Sequence, residues 1–363
     1  MSPGASDVVI AGGGTGGHLY PGLALADALA ARGLGVAFVG TASGIEARVV
    51  PGAGYPLRLI PGGQLRGGGL GRALGGLVAA ARGALAGLVL LGELRPRLVV
   101  GVGGYASVAV VVAAWLRRIP IVLLEQNVVP GAANRTLARL ARRICVGFAE
   151  TVPRFPRARA VHTGNPIRPD VLRPRAAASH AGLGLLVFGG SAGAHRLNLA
   201  ALDAVKVLGP RARALAITHQ TGAADLEAVR AGYAALGLAA RVEPFIADMG
   251  GAYAEADVVV ARAGAMTCAE VTAVGLPAIL VPYPYAADDH QRWNAEVLVH
   301  AGAAEMILDR ELTGERLAAA IAALTDDPER HAAMASRARA LGRPDAAGRV
   351  AEVCLGLVRP GGP

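Results

Sequence analysis

Short β-branched runs alternate with Ala/Leu-rich stretches of helical periodicity along most of the chain, a pattern that predicts βαβ units and parallel sheets. In the first half the predicted strands are 7–11, 35–39, 98–102, 119–124 and 144–146. A proline-rich stretch, NPIRPDVLRP at 165–174, then interrupts the alternation as an interdomain linker would. The pattern resumes with predicted strands at 185–188, 214–219, 240–244, 257–261 and 278–282, and ends in a helical segment at about 326–357 that can pack on either domain. The expected organisation is a first domain at 1–163, a linker at 164–175, a second domain at 176–340, and a C-terminal helix at 341–363 packed back on the first domain. Residues 98–116 carry no charge and precede Arg117 and Arg118, so by length alone they meet the threshold of about 18 apolar residues for a membrane span. The interior GVGGYAS divides them into a strand and a helix beginning near Ser107, so a strand–loop–helix unit is the better reading.

Two glycine-rich turns sit at equivalent places in the two halves: GGGTGGH at 12–18 and GGSAGAH at 189–195. Each follows a strand and opens a helix, where glycine allows close backbone approach and the helix N-terminus directs N–H groups at an anion. Two such domains facing one another across a cleft favour a transferase over a one-site binder. A dinucleotide site would also want an acidic residue about 20 positions on, at the end of the second strand. Glu46 lies too far past that strand, which disfavours nicotinamide binding. His18 beside Thr15 is either a base, with an ordinary pKa near 6.5, or a hydrogen bonder at a helix start. Ser191 adds a hydroxyl suited to a phosphate oxygen.

At 363 residues the chain has room for two domains with separate cores. The hydrophobic fraction is 53% and the aromatic fraction 4%, so Ala, Val and Leu must build those cores. The net charge of +9 is carried by arginine, since Lys206 is the only lysine, and it suits a lipid surface, a nucleic acid or a phosphorylated substrate. Cys145, Cys268 and Cys354 are widely spaced and form no CxxC pair, which argues against a disulfide framework or a zinc site and for a reducing compartment. No basic region precedes the first apolar run, so no signal peptide is read and the chain is expected in the cytoplasm.

Further polar clusters fall at predicted strand ends: GGYAS (103–107), EQN (125–127), GNPIR (164–168), RAGAMTCAE (262–270) and AADDHQRWNA (286–295). Open α/β sheets bind their ligands at such ends. In RAGAMTCAE, Gly264 and Ala265 make a tight turn, Thr267 stands in the first helical turn, and Glu270 can accept bonds from two ribose hydroxyls. The alternative makes Glu270 a first-turn carboxylate favoured by the helix dipole.

Together with HQTG (219–222) and FIADM (245–249), these strings resemble the MurG family of N-acetylglucosaminyltransferases over nearly the whole chain. The resemblance implies an α/β GT-B glycosyltransferase fold, two Rossmann-like domains with parallel sheets facing across a cleft, with no cofactor and no catalytic metal. It implies an inverting hexosyltransferase that moves GlcNAc from UDP-GlcNAc to the 4-hydroxyl of undecaprenyl-pyrophosphoryl-MurNAc-pentapeptide, giving the lipid-linked disaccharide of peptidoglycan synthesis. Mapped onto this sequence, the backbone at Ile246 meets uracil and Glu270 the ribose, while Ser191 with Ala265, Met266 and Thr267 meets the diphosphate. Arg168, Gln291, Asn127 and the Thr15–Gly16–Gly17 loop match the remaining donor contacts. Arg168 leads as the side chain that stabilises the leaving diphosphate, ahead of Arg262; His18 and Glu125 compete as the general base. Ala192 stands where the family often has glutamine, so a backbone contact survives there and a side-chain contact to the sugar does not.

The apolar stretch at 65–91, with Arg66, Arg72 and Arg82 interspersed, and Trp115 with Arg117 and Arg118, suits a surface lying on anionic lipid heads. Its rival is an ordinary core helix with solvated arginines. The implied location is the cytoplasmic face of the bacterial plasma membrane, with wall-synthesis and division proteins as further candidate partners. A non-hydrolysing UDP-GlcNAc 2-epimerase would share fold and donor but need no apolar basic patch. A nucleic-acid-binding module has only the arginine excess in its favour and lacks interleaved aromatic residues.

Overall fold

The runs VVIAG and LVVGVG become β1 (Val8–Gly12) and β4 (Leu98–Gly103), adjacent parallel strands paired Val8 to Leu98 and Ile10 to Val100 and buried at every residue. Residues apolar on both faces stay in register only where helices cover both faces of a sheet. Each fully buried Val, Ile or Leu contributes about 1.5–3 kcal/mol. The computed structural model describes residues 6–61, 70–156, 159–174, 182–190 and 193–358, the side chains of 70–81 excepted. It divides into two units, 1–168 with 345–363 and 169–344.

In the first unit β1 and β4 are joined by β2 (Val36–Gly40), β3 (Leu57–Leu59), β5 (Ile121–Glu125), β6 (Arg143–Val146) and β7 (Ala160–His162). The sheet is parallel, in the order β3-β2-β1-β4-β5-β6-β7. Its helices are α1 (Gly16–Ala30), α2 (Glu46–Gly52), α3 (Leu70–Leu94), α4 (Tyr105–Leu116) and α5 (Ala132–Leu137). The second unit has β8 (Leu183–Phe188), β9 (Leu215–Gln220), β10 (Ala240–Glu243), β11 (Val258–Ala261), β12 (Ala278–Leu280) and β13 (Ala304–Met306), parallel in the order β10-β9-β8-β11-β12-β13. Around it lie α6 (His195–Leu208), α7 (Leu226–Ala235), α8 (Met249–Glu255), α9 (Ala265–Val274), α10 (His290–His300), α11 (Gly314–Thr325) and α12 (Pro328–Leu341). Helix α13 (Ala346–Val358) returns to the first unit, where Val350, Ala351 and Cys354 join the core beside Leu25 and Leu29 of α1.

Each sheet reverses its strand order between its first and fourth strands in sequence, the arrangement that opens a ligand crevice at the carboxyl edge. Both glycine-rich turns lie at those reversal points, after β1 and after β8. Residues 98–116 form β4, a turn at Gly103 and Gly104, both with positive φ, and α4. The helix starts at Tyr105, two residues before the predicted start. Among the described residues no helix is long and apolar enough to cross a membrane.

Three strands were not predicted: β3, β7 and β13. All are three-residue edge strands with mostly half-exposed or exposed side chains, so neither an apolar run nor a clean alternation marks them. The predicted final helical segment is two helices, because Gly342 ends α12 against the Thr272 carbonyl, leaving no room for a side chain. Of the NPIRPDVLRP stretch, Asn165 and Ile167 are buried in the first unit, and Pro169–Leu172 forms a 3-10 turn of the second. Cys145, Cys268 and Cys354 are buried free thiols, and burial pushes the first two up to about 12.

Candidate functional site

In the first unit the GGGTGGH turn is built on a carboxylate. Glu46, 1% exposed, accepts bonds from Gly14 N (2.8 Å), Thr41 N (2.9 Å) and the Thr41 hydroxyl (3.1 Å). A Cβ at Gly13, Gly40 or Gly44 would lie within 2.3 Å of its side chain, so glycine at each position makes its chamber. The amide of Gly14 is thereby answered from inside the protein, by a carboxyl group beneath the loop. Glu46 is the residue that sequence reasoning set aside. Its role depends on Gly13 and Gly14, which lie on a distant segment, so no local pattern displays it.

Thr15 begins α1 and its hydroxyl lies 3.3 Å from His18 Nδ1, while His18 N and Leu19 N donate to the Thr15 carbonyl. Gly16 and Gly17 form the first turn of the helix. The His18 ring rests on Gly103, where an added Cβ would stand 2.7 Å from the ring, and Gly13 N donates to Gly103 O at 3.4 Å. Thus GGGTGGH and GGYAS form one surface carrying a half-buried imidazole.

Glu125 ends β5, is 2% exposed, and accepts from Asn127 N (3.0 Å), Gly131 N (3.0 Å) and Asn134 Nδ2 (2.9 Å). Burial pushes its carboxyl above the ordinary range against the pull of these bonds. Three internal donors make it an organiser of the turn that presents Asn127. Gln126 donates to Val102 O (3.1 Å) and Asn165 donates to Gln126 O (2.9 Å), which ties EQN to the strand before GGYAS and to GNPIR. Arg168, at the end of GNPIR, lies over the Tyr20 ring of α1 with its guanidinium carbon 5.1 Å from the centroid. The structure therefore brings Arg168 to the helix that carries Thr15 and His18.

In the second unit the predicted donor residues gather at the carboxyl ends of β10, β11 and β12. Ile246 follows β10, and its N–H donates to Gln220 Oε1 at 3.0 Å. Ala265, Met266 and Thr267 form the first turn of α9, capped by Gly264. Glu270 lies in the second turn, which removes the first-turn dipole alternative. Instead Tyr253 donates to Glu270 Oε2 at 2.9 Å and so orients the carboxylate. Gln291 sits at the start of α10 and accepts from Tyr283 N at 3.0 Å, while Asn294 donates to Ala263 O at 3.2 Å and joins α10 to the RAGAM turn. Ser191 and Ala192 lie outside the described residues, as do Arg66 and the Arg72 side chain.

Arg262 is turned inward. It donates to Val281 O (3.2 Å), Pro282 O (3.1 Å) and Asp309 Oδ1 (2.7 Å), with Arg196 on the other Asp309 oxygen at 3.3 Å. That buried ion pair joins β11 to the chain after β13, so the reading of Arg262 as a diphosphate ligand gives way to a structural one. Among the described residues no group of His, Cys, Asp or Glu is arranged to hold a metal ion.

Residues 8–146 match the glycosyltransferase family 28 N-terminal domain and residues 184–350 the glycosyltransferase family 28 C-terminal domain. A curated relative from Anaeromyxobacter sp. (strain Fw109-5), the UDP-N-acetylglucosamine–N-acetylmuramyl-(pentapeptide) pyrophosphoryl-undecaprenol N-acetylglucosamine transferase, is 49% identical over 97% of this chain and 93% of its own length. The crystal structure of Acinetobacter baumannii MurG is similar with a TM-score of 0.75 at 34% identity, covering 95% of this chain and 98% of that one. A UDP-GlcNAc 2-epimerase from Neisseria meningitidis, solved bound to UDP-GlcNAc, shares the fold alone: TM-score 0.68 at 12% identity, over 96% of this chain and 99% of the other. With two Rossmann-like units, both halves of the family pattern and close identity along nearly its whole length, the chain belongs to the MurG family of glycosyltransferase family 28.

Proposed function

We propose that this protein transfers GlcNAc from UDP-GlcNAc to the 4-hydroxyl of undecaprenyl-pyrophosphoryl-MurNAc-pentapeptide. The observation that carries the proposal is 49% identity, over 97% of the chain, to a relative named for that reaction. In the second unit the Ile246 backbone takes uracil, Glu270 the ribose, and the glycine loop containing Ser191 with the α9 N-terminus at Ala265, Met266 and Thr267 the diphosphate. Gln291 addresses the sugar. The first unit supplies Thr15, Gly16, Gly17, Asn127 and Arg168 as further donor contacts. His18 removes the proton of the acceptor hydroxyl as its oxygen bonds to the anomeric carbon; the bond from that carbon to the diphosphate breaks and UDP departs, inverting the centre. His18 is preferred to Glu125 because three internal donors already occupy the Glu125 carboxylate.

The acceptor is lipid-linked, and the first unit has a surface suited to it. Leu85 (63% exposed) and Val89 (64%) on α3 and Trp115 (52%) and Leu116 (54%) on α4 stand at the surface, with exposed Arg82, Arg117 and Arg118 near them in sequence. The core face of α3 is made by Gly83 and Gly87, which pack closely on Ala109 and Ala113 of α4. That leaves the exposed residues for peripheral attachment to anionic lipid at the cytoplasmic face of the membrane. Sedimentation with vesicles containing phosphatidylglycerol should deplete the protein from the supernatant, and the double variant Leu85→Glu/Trp115→Glu should stay behind. Equal sedimentation of the two would remove this surface from the proposal.

The epimerase reading makes a different demand. Incubation with UDP-GlcNAc alone should leave the nucleotide sugar unchanged; formation of UDP-N-acetylmannosamine without acceptor would favour the epimerase.

A further inference from the structure

The HQTG motif supplies none of the donor contacts assigned above, yet it lies between two of them. Gln220, the last residue of β9, is 3% exposed and bonded at both ends of its amide: Nε2 donates to Gly190 O at 2.9 Å, and Oε1 accepts from Ile246 N at 3.0 Å. The partners fix the orientation of the amide, because a carbonyl requires its NH2 and an N–H requires its oxygen. Gly190 belongs to the second glycine loop and Ile246 to the FIADM turn. The rest of the motif braces the same junction. Gly193 N donates to Gly190 O at 2.9 Å, a Cβ on Gly193 would stand 2.1 Å from Thr221 O, and that carbonyl accepts from Asn198 Nδ2 at 2.9 Å.

We infer that Gln220 is a positioning residue that sets the spacing between the phosphate loop and the base-binding turn, so that a nucleoside diphosphate is held as one rigid body. The inference rests on the donor reading given above. Two subsites joined rigidly bind a ligand spanning both better than they would if each moved independently, because the ordering cost is met before binding. Loss of the strut therefore falls on ligands that span both subsites and spares ligands that occupy one.

The test is calorimetric titration of the full chain with UDP and with uridine, for the wild type, Gln220→Glu and Gln220→Met. Gln220→Glu keeps an acceptor for Ile246 N and loses the donor to Gly190 O; Gln220→Met keeps the volume and loses both bonds. The preference for UDP over uridine should fall about tenfold in both variants, the equivalent of one hydrogen bond. A role in folding alone would lower the melting temperature and leave that ratio unchanged. A ratio unchanged in either folded variant, with UDP bound by the wild type, overturns the inference by itself. Wild-type protein that binds no UDP overturns the donor reading and the inference with it.

Discussion

The carboxylates of this protein have separable duties, which their surroundings set. Glu46 and Glu125 are buried among backbone N–H donors and hold loops; Glu270 is half-buried and oriented by Tyr253. Glu270→Ala should raise the donor KM with little change in kcat, as expected for a contact kept in ground and transition states alike. His18→Ala should instead lower kcat by about 10²-fold or more at unchanged donor KM. Steady-state kinetics with varied UDP-GlcNAc separates the two, and near-normal turnover of His18→Ala would move the base to Glu125. The strings proposed to carry the chemistry were legible in the sequence, because the glycine turns, His18 and Glu270 sit in contiguous runs. What surrounds them was not. Glu46, Gln220 and Asn165 act through partners on other segments, and Arg262 is taken up by backbone carbonyls and Asp309 that its own string does not show.

At the scale of elements, two loop-anchoring devices differ between the units. The first glycine loop is tied to a buried carboxylate, so removing that group strands Gly14 N and Thr41 N without acceptors. Glu46→Ala should destabilise the first unit by about 2–5 kcal/mol through these orphaned donors and the cavity. Urea unfolding followed by a probe in that unit checks the prediction; a loss within 0.5 kcal/mol, the range of a neutral surface change, would contradict it.

The second glycine loop leans on a directional chain. Tyr233 O–H donates to His219 Nδ1 (3.0 Å), His219 Nε2–H donates to Asn198 Oδ1 (3.1 Å), and Asn198 Nδ2 donates to Asp225 Oδ2 (2.7 Å). Burial pushes the His219 imidazole down to about 4 from the ordinary 6.5, with the Asp225 carboxylate pulling upward. Between those values the unfolded chain binds a proton that the folded chain does not, so stability rises with pH across this window. The contribution is complete above about pH 6.5 and is lost as pH falls towards 4, a swing on the order of 3 kcal/mol. In His219→Gln, the difference in unfolding free energy between pH 7 and pH 4.5 should shrink by about 2 kcal/mol. An undiminished difference would place the acid sensitivity elsewhere. The central strands were legible as apolar runs, whereas β3, β7 and β13 were not, since three half-exposed edge residues leave no periodicity to read.

At the scale of the molecule, two parallel sheets that share one order over six strands, the first with β7 added at its edge, present unlike residues on their carboxyl edges. The first presents the His18 imidazole on a glycine floor, beside a loop tied to the buried Glu46 carboxyl. The second presents a helix N-terminus and the predicted uracil, ribose and sugar contacts, suited to a nucleotide sugar. The tandem arrangement was legible because the glycine turn occurs twice and each copy follows an apolar strand. Helix α13 returns to the first unit through the close fit of Val350, Ala351 and Cys354 into a core made by residues more than 200 positions earlier.

The central claim is transfer of GlcNAc to a lipid-linked muramoyl acceptor. Its most direct test is incubation of the protein with labelled UDP-GlcNAc and a polyprenyl-pyrophosphoryl-MurNAc-pentapeptide in the presence of chelator, with the anomeric configuration of the product read by NMR. The predicted result is a labelled, β-linked disaccharide on the lipid, with UDP released in equal amount. UDP-GlcNAc bound but not transferred, or an α-linked product, would contradict the account.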